Sequence, residues 1–214
     1  MSQALPKQPD HDCPFCPRLV AFREAARAKY PDKFNGPVPS WGPLDAKLLI
    51  VGLAPGLKGA NFTGRPFTGD WAGFLLYPML KEFGFAKGTF DARPDDGFEL
   101  VNCRITNSVR CVPPENKPLP VEEHTCRVFL NSEFATLEHV KIILTQGTVA
   151  HNSVIRAMGL KLSQWKFKHG HVHELPNGMK LVDTYHTSRY NTNTGRLTEA
   201  MFRGIIKLCK KLVA

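Results

Sequence analysis

The sequence contains no long apolar run. No stretch approaches the roughly 20 consecutive apolar residues that a membrane-spanning helix requires, and the opening segment MSQALPKQPD lacks the apolar centre of a secretory signal peptide. Internal repeats and low-complexity segments are absent as well. We therefore expect a cytoplasmic globular protein.

Neither of the two common nucleotide-binding loops is present. The stretch VGLAPGLKGANFTGRPFTGD (51–70) is rich in glycine, but it lacks the Gly-Lys-Ser/Thr ending of a P-loop, and its glycines do not have GxGxxG spacing. It follows an apolar run at 47–52 that is typical of a buried strand, and a helical pattern comes after it. Loops in this position bind ligands in α/β proteins, since glycine lets the backbone approach a ligand closely. A phosphate or a flat base would both fit.

Charge is the feature of the composition that points to a partner. The 214 residues are 43% hydrophobic and 22% charged, which is ordinary for a single α/β domain with a full core. The net charge of +9 indicates a polyanionic partner such as nucleic acid, although many cytosolic proteins are mildly basic for other reasons. Composition alone leaves both interpretations open.

Four of the six cysteines have spacings that suggest a metal centre. Cys13 and Cys16 form a CxxC pair in a proline-rich segment, and Cys111 and Cys126 flank a second proline-rich loop. In a reducing compartment such cysteines are metal ligands or buried thiols rather than disulfides. Four thiolates can hold a tetrahedral zinc ion or a [4Fe–4S] cluster, and the spacing does not distinguish the two.

Other potential metal ligands have a structural interpretation. Cys103 lies in an apolar segment and Cys209 on the last predicted helix, so we expect both in the core. His169, His171 and His173 alternate along a hairpin whose turn is Pro-Asn-Gly. Alternate strand residues share one face, and a hairpin often displays that face to solvent, so we do not predict a metal there.

Three loops follow successive predicted strands, at 54–70, 107–111 and 186–195. The carboxyl ends of parallel strands meet at one edge of a sheet, which predicts that these loops converge. The side chains expected at that edge are Phe67, Asp70, Asn107 and His186. Each also has a simpler interpretation: Phe67 as core, Asp70 as a helix N-cap, Asn107 as a turn residue and His186 as a loop histidine.

The same segments resemble the family 5 (type b) uracil-DNA glycosylases of bacteria and archaea. The motifs that carry the resemblance are GLAP (52–55), NFTGRPFTGD (61–70), NSVRCVPPENKP (107–118) and HTS (186–188), with the two cysteine pairs. They cover roughly residues 12–203 in the same order. The resemblance implies an α/β fold, a three-layer α/β/α sandwich with a central four-stranded parallel sheet. It also implies one domain over 1–214, in which residues 1–17 form a cluster-binding arm.

The resemblance assigns three groups of residues. Catalysis falls to Asp70, Asn107 and His186. Substrate binding falls to Gly52, Ala54, Pro55, Gly56, Phe67, Ser188, Arg189, Tyr190 and Asn191. A structural [4Fe–4S] cluster falls to Cys13, Cys16, Cys111 and Cys126, which would arrange Arg18, Arg110, Lys117 and Arg127 near DNA phosphates.

The roles suit the chemistry of removing a base. Phe67 matches the family's stacking position, and Asn107 can donate to and accept from a base edge. His186 can donate to the uracil O2 as negative charge develops there. By resemblance Asp70 assists the sugar, and a carboxylate can orient a water or stabilise a cationic centre. The competing interpretation is that Asp70 only caps a helix.

Two stretches depart from the patterns of related enzymes. Other glycosylase families place Asp, Asn or Glu in the first motif to position water, where this chain has Leu53 and Ala54. The family usually reads His-Pro-Ser-Pro in the last loop, where this chain has Thr187 and Arg189 in place of the prolines. We therefore expect this loop to be less rigid and more positively charged than in the family. Arg189 and Tyr190 become candidates for a polar wedge that enters the duplex.

The sequence therefore predicts a monofunctional glycosylase that hydrolyses the N-glycosidic bond of uracil in DNA, the first step of base excision repair. Hypoxanthine and xanthine are further candidate bases. We expect a monomer that acts on DNA in the cytoplasm, in association with the nucleoid. The alternatives are an iron–sulfur nucleic-acid-binding module of the same fold without catalysis and, more weakly, a zinc-bound relative without a base pocket.

Overall fold

The structure is a computed structural model, and it describes residues 4–214. Seven strands form two sheets: β1 (Leu48–Gly52), β2 (Ala86–Lys87), β3 (Glu99–Leu100), β4 (Cys103–Asn107), β5 (Ile142–Gln146), β6 (Val172–Glu174) and β7 (Lys180–Thr184). The helices are α1 (Pro17–Lys29), α2 (Ala60–Thr63), α3 (Trp71–Glu82), α4 (Pro120–Thr136), α5 (Thr148–Ala157), α6 (Arg189–Asn193) and α7 (Glu199–Val213).

A mostly parallel sheet with the strand order β4-β1-β5-β7-β6 forms the centre of the structure. Its first four strands are parallel, which confirms the predicted parallel sheet. The fifth strand, β6, pairs antiparallel with β7 through the hairpin and extends one edge. The register aligns Gly52 with Asn107 and Gln146 with Thr184, so the strand ends that carry the candidate site residues are neighbours.

Helices cover both faces of this sheet because its strands are apolar on both sides. Leu48 and Ile50 of β1 point into a core shared with α3 and α7. Leu49 and Val51, which alternate with them, point into a second core shared with α4 and α5. A strand buried on both faces reads as a continuous apolar run, as Leu48–Val51 does. The result is the predicted three-layer arrangement.

Two predicted elements have different bounds in the structure. The apolar segment around Cys103 has the pattern of one strand over residues 100–106, but it is split into β3 and β4. Asn102 adopts a left-handed backbone (φ 52°), and its side chain accepts a hydrogen bond from the Lys47 amide at 2.8 Å. The loop expected at 186–195 contains the short helix α6, whose N-cap is Ser188. In both cases a local side-chain hydrogen bond decides the backbone path.

Within residues 4–214, none of the helices combines the length and the apolar character needed to span a bilayer.

Candidate active site

A cavity of about 410 Å³ opens at the carboxyl ends of the parallel strands. It is the place where the three predicted loops meet. The sequence-predicted residues that line it are Ala54, Pro55, Gly56, Phe67, Asp70, Asn107, His186, Ser188 and Arg189. The structure therefore brings the predicted aromatic ring, carboxylate, amide and imidazole to one space.

The Phe67 side chain forms one wall of the cavity. Its backbone is left-handed (φ 51°), which is uncommon for a bulky residue and costs of order 1–3 kcal/mol. Gly52 does not line the cavity but permits this packing. A Cβ at Gly52 would lie 2.3 Å from Asn107 Oδ1 and 2.7 Å from Phe67 Cζ. The strained backbone thus places a ring where a flat ligand can stack, and glycine is required beneath it.

Asp70 is the N-cap of α3, as the simpler interpretation expects. Its Oδ1 accepts hydrogen bonds from the backbone amides of Ala72 at 3.1 Å and Gly73 at 3.3 Å. Oδ2 receives no hydrogen bond from residues 4–214. It faces Gly59, where a Cβ would lie 2.4 Å away. Burial raises the pKa of Asp70, although the two amides partly offset this. One oxygen therefore caps the helix, while the other is free at the cavity wall.

Asn107 ends β4 with its side chain facing the cavity. The residue is 3% exposed, and its amide makes no hydrogen bond to other residues in the described part of the chain. The residue lines the cavity, so its amide is reachable by solvent or by a ligand and is not sealed in the core. Such a group is available to pair with the edge of a ligand.

His186 lies across the cavity from Phe67, with ring centroids 6.3 Å apart and 29° between the ring planes. Burial lowers the pKa of His186 to about 4, and no charged group or hydrogen-bond partner among residues 4–214 offsets this. The imidazole is therefore neutral at pH 7, when one of its ring nitrogens carries a proton that it can donate.

The residues predicted to bind substrate after His186 lie in different positions relative to the cavity, which Ser188 and Arg189 line. Tyr190 does not line the cavity and is 71% exposed. Asn191 does not line it either, but its Nδ2 donates to the His186 carbonyl at 2.9 Å. The Arg189 guanidinium lies over the Trp71 ring, 5.1 Å from its centroid. Binding by Tyr190 and Asn191 is thus not direct at the cavity, and Arg189 is already engaged by an aromatic ring.

Sequence reasoning did not assign five cavity-lining residues: Leu53, Ala60, Trp71, Ala72 and Asn116. Asn116 is the polar one that stands out. It lies at the end of a 3₁₀ turn in the loop between Cys111 and Cys126, and both Glu115 and Asn116 have φ of 56°. Asn116 belongs to the motif NSVRCVPPENKP, so the signal was present, but nothing local predicts that this loop reaches the cavity.

The four paired cysteines line a second, narrow cavity beside α1 and α4. No disulfide joins them. The Arg110 amide donates to Cys126 Sγ at 3.3 Å, and Arg23 Nη1 lies 4.0 Å from Cys111 Sγ. Arg23 also donates from Nη1 to the Cys13 carbonyl at 3.1 Å, and its Nε lies 3.7 Å from Glu24 Oε1. Four cysteines around one cavity beside an arginine are residues that could hold a thiolate-ligated group, although no three of their sulfur atoms lie mutually within 4.8 Å.

The remaining two cysteines and two of the predicted DNA-contacting arginines have defined surroundings in the structure. Cys103 and Cys209 are both 0% exposed in the core, as predicted. Arg110 was expected near DNA phosphates, and this prediction is wrong. Its side chain is 1% exposed and lies 3.6 Å from the Glu133 carboxylate. Arg18 forms a two-point contact with Glu122 at 2.7 and 2.8 Å.

A second polar cluster lies beneath the hairpin, around Asp183. His151 and His173 contact its two carboxylate oxygens at 2.8 and 3.0 Å. The Thr145 hydroxyl donates to Oδ1 at 2.6 Å and the Lys168 amide to Oδ2 at 3.1 Å. His173 is buried, contrary to the expectation that the hairpin histidines face solvent. Each carboxylate oxygen has two donors, so the cluster is a complete hydrogen-bond network.

The fold is that of an α/β/α sandwich with a cavity at the carboxyl edge of its parallel strands, the place where α/β proteins bind ligands. The family model described as "Uracil DNA glycosylase superfamily" matches residues 39–210. The chain belongs to the uracil DNA glycosylase superfamily.

Within that superfamily the chain is similar to proteins named type-5 uracil-DNA glycosylase. The Thermus thermophilus protein is 41% identical over 206 residues, which are 94% of this chain and 93% of that protein. The Mycobacterium leprae protein is 41% identical over 208 residues, 94% of this chain and 91% of its own length. The Pyrobaculum aerophilum protein is 36% identical over 191 residues, which are 87% of this chain and 83% of that protein. The family 5 resemblance is confirmed.

Proposed function

We propose that this chain is a monofunctional DNA glycosylase that hydrolyses the N-glycosidic bond of uracil in DNA and leaves an abasic site. The observation that carries the proposal is the cavity. An aromatic ring, an unpaired amide, a neutral imidazole and a free carboxylate oxygen face one space of about 410 Å³. An everted base needs a stacking surface and contacts to its edge. The name of the type-5 relatives supports uracil as the base.

Base recognition is assigned to Phe67 and Asn107. The Phe67 ring offers a flat apolar surface, and Asn107 offers a donor and an acceptor from one amide. Uracil presents an acceptor carbonyl next to an N–H on its Watson–Crick edge. A single amide can match both groups, whereas cytosine presents a different pattern and would leave the amide partly unpaired.

Departure of the base is assigned to His186. When the bond between N1 of uracil and C1′ of the sugar breaks, the bonding electrons stay on the base and negative charge spreads to O2. The neutral imidazole donates an N–H to that oxygen and stabilises the charge as it forms. A buried hydrogen bond of this kind is stronger than one in water. The imidazole need not change its protonation state, which agrees with its low pKa.

Attack of water on the sugar is assigned to Asp70. The free Oδ2 accepts a hydrogen bond from a water molecule, whose oxygen forms the new bond to C1′. The water proton passes to the carboxylate as the C1′–N1 bond breaks. Oδ1 stays bound to the helix amides, so the carboxylate is held in one orientation. Leu53 and Ala54 line the cavity without polar side-chain atoms, whereas Asp70 is the carboxylate that lines it.

Hypoxanthine and xanthine are proposed as further substrates. Several small or apolar residues line the cavity, among them Ala54, Gly56 and Ala60. Purines are larger than uracil, and these residues leave room where bulkier side chains would exclude them. Both deaminated purines also carry a carbonyl next to an N–H, the pattern assigned to Asn107.

Contact with the duplex is proposed for the exposed end of the last loop. Tyr190 is the exposed aromatic residue there, so it is the candidate wedge into the base stack. The Arg189 guanidinium stacks on the Trp71 ring, so it would have to give up this cation–π contact to bind a phosphate or a base. Lys117 is exposed in the loop next to Asn116 and remains a candidate for phosphate contact.

A [4Fe–4S] cluster held by Cys13, Cys16, Cys111 and Cys126 is proposed as the resident cofactor. The four cysteines that line one cavity, the Arg110 amide at Cys126 Sγ and the Arg23 guanidinium at Cys111 Sγ support this assignment. The cluster would supply a covalent link between the N-terminal arm and the loop that carries Asn116. We further propose one domain, a monomer in solution and action at the nucleoid.

One assay tests the proposal. Purified protein is incubated in excess with oligonucleotides that contain uracil, hypoxanthine or xanthine, in single strands and opposite each base. Alkali then cleaves any abasic site. We expect abasic product from uracil, whereas no product from any uracil substrate would leave the non-catalytic binding module as the better interpretation. Iron and sulfide analysis of the same sample, with its visible absorption, separates an iron–sulfur cluster from zinc.

A further inference from the structure

The His186 imidazole has no hydrogen-bond partner of its own among residues 4–214. Most buried histidines that act on a substrate are oriented by a partner on the second ring nitrogen. Here that restraint is missing, so the position of the ring depends on packing, as against Phe67, and on the backbone that carries it. The contacts of that backbone therefore help to decide where the imidazole lies.

The next residue, Thr187, anchors the backbone on its buried side. It is 0% exposed, and its hydroxyl donates to Gln146 Oε1 at 2.8 Å. Its backbone amide lies 3.5 Å from the same oxygen. Gln146 is 1% exposed and is the last residue of β5, next to β7 in the sheet. A side chain on a rigid strand thus fixes the residue that follows the imidazole.

This arrangement costs stability. The Nε2 of Gln146 is buried without a partner among residues 4–214, and an unpaired buried donor is unfavourable. The amide cannot be flipped to avoid this, because Thr187 needs an acceptor at Oε1. An apolar pair of the same shape would leave no orphaned donor at Gln146. A costly polar contact next to a reactive group suggests that its value lies in geometry.

We propose that Gln146 and Thr187 are positioning residues that hold the His186 imidazole at the distance from the base that excision requires. The inference rests on the proposed role of His186. Phe67 faces the imidazole at 6.3 Å, so little rotation of the His186 turn is tolerated before a stacked base loses its hydrogen bond. Misplacement of a catalytic group by about 1 Å can lower a rate by about 100-fold.

Kinetics of four variants test the proposal. Thr187→Val keeps the shape but removes the hydroxyl, and Gln146→Met keeps the length but removes the acceptor. We expect each to lower kcat for uracil excision by about 10- to 100-fold, with KM changed by less than about threefold. Thr187→Ser retains the hydroxyl and should recover most of the loss. Thr136→Val, a threonine-to-valine change on α4 remote from the cavity, is the matched control and should have no effect.

A second measurement does not depend on turnover. In nuclear magnetic resonance spectra of DNA-free protein labelled with ¹⁵N at histidine, the His186 ring signals should shift in Thr187→Val and Gln146→Met but not in Thr187→Ser. The His151 signals serve as the internal reference for an intact fold. The double variant Thr187→Val/Gln146→Met should have the same kcat as either single variant, because both substitutions break the same hydrogen bond.

The outcomes separate the inference from the proposed function. Wild-type protein without uracil excision would remove the proposed function, whatever the variants do. Wild-type excision with an unchanged kcat in Thr187→Val and Gln146→Met would overturn the positioning role alone. A rise in KM with constant kcat, or equal losses in Val and Ser variants, would also overturn it, since neither follows from a displaced imidazole.

Discussion

Two buried polar centres lie on the same strand end, and they differ in how their polar groups are satisfied. Around Asp183 every carboxylate oxygen has two donors. The second centre is the cavity at the carboxyl ends of the strands. There the His186 ring, the Asn107 amide and one Asp70 oxygen have no hydrogen-bond partner in the described part of the chain. The first arrangement stabilises the fold, while the second leaves hydrogen-bonding capacity for a ligand.

The two histidines therefore differ in charge. His151 faces the Asp183 carboxylate with Nδ1 and the Trp165 carbonyl, 2.9 Å away, with Nε2. Both partners accept hydrogen bonds, which favours the doubly protonated, positively charged ring. Burial alone would lower its pKa, but the hydrogen bonds to Asp183 and Trp165 outweigh this and raise it. His186 is half-buried and has no such partners, and desolvation lowers its pKa to about 4, so it is neutral at pH 7.

The largest expected effect separates catalysis from capping at Asp70. Asparagine caps a helix as well as aspartate does, so Asp70→Asn should change the free energy of unfolding by less than about 0.5 kcal/mol. It should nevertheless lower uracil excision by about 100- to 10,000-fold, because the proton acceptor is gone. Single-turnover assays and urea unfolding measure the two quantities. More than a tenth of wild-type activity in Asp70→Asn would mean that the carboxylate is only a cap.

The next effect is on stability and concerns the satisfied network. Asp183→Ala leaves the His151 imidazolium and the Thr145 hydroxyl without an acceptor in the core. Breaking a buried charge pair in this way typically costs about 3–5 kcal/mol. Urea unfolding should show this loss, whereas Asp95→Ala, at an exposed aspartate, should change stability by less than about 0.5 kcal/mol. A mild effect of Asp183→Ala would mean that the network is not an essential support of the fold.

A matched pair of substitutions compares the two histidines directly. His186→Phe removes the donor to the base and should lower excision by about 100- to 1,000-fold, with little loss of stability because no hydrogen bond is broken. His151→Phe should have the opposite pattern, with a stability loss of several kcal/mol, on the order expected for breaking a buried charge pair. Measuring both quantities for both variants tests the contrast. Similar patterns in the two variants would contradict it.

The pH dependence of stability should also have opposite signs. The pKa of His151 is raised, so its contribution is fully present below the ordinary histidine pKa of about 6.5 and is lost as pH rises through the folded value. The pKa of His186 is lowered to about 4, so stability is lost as pH falls below about 6.5. Urea unfolding from pH 4 to 9 should show a smaller acid loss in His186→Phe than in wild type. The same loss of stability at low pH in His186→Phe and wild type would mean that another group is responsible for it.

The smallest expected effect concerns the exposed end of the last loop. Tyr190→Ala removes a side chain that is 71% exposed and outside the cavity. If the ring supports an everted base by filling the stack, excision from double-stranded DNA should fall by about fivefold, which corresponds to about 1 kcal/mol, the lower end of the range for base–aromatic stacking. Excision from single strands should be unaffected. Equal losses on both substrates would place Tyr190 in general DNA binding instead.

Local pattern was sufficient for most of the fold. The apolar run at 47–52 predicted a buried strand, and the Pro-Asn-Gly turn predicted the hairpin that adds β6. The carboxyl ends of parallel strands share an edge by geometry. That rule predicted that Phe67, Asp70, Asn107 and His186 lie near one another, and all four line the cavity.

Patterns misled where a side chain's partner lies far away in the chain. Arg110 was expected on a basic DNA-binding face, but it is buried beside Glu133. Thr187 was expected to loosen its loop by replacing a proline, yet its hydroxyl is bonded to Gln146, 41 residues earlier. His173 was expected in solvent and instead meets Asp183.

The sequence by itself determined which residue types stand at the strand ends, because strand periodicity and glycine-rich turns are local properties. Only the tertiary structure decided which polar groups are paired, since that depends on contacts between residues distant in the chain. It brought Asn116 to the cavity, left His186 without a partner and gave His151 a carboxylate. Polar groups removed from water need partners, so these contacts matter energetically. Tertiary contacts therefore decide that His151 stabilises the fold, whereas His186 is available to a ligand.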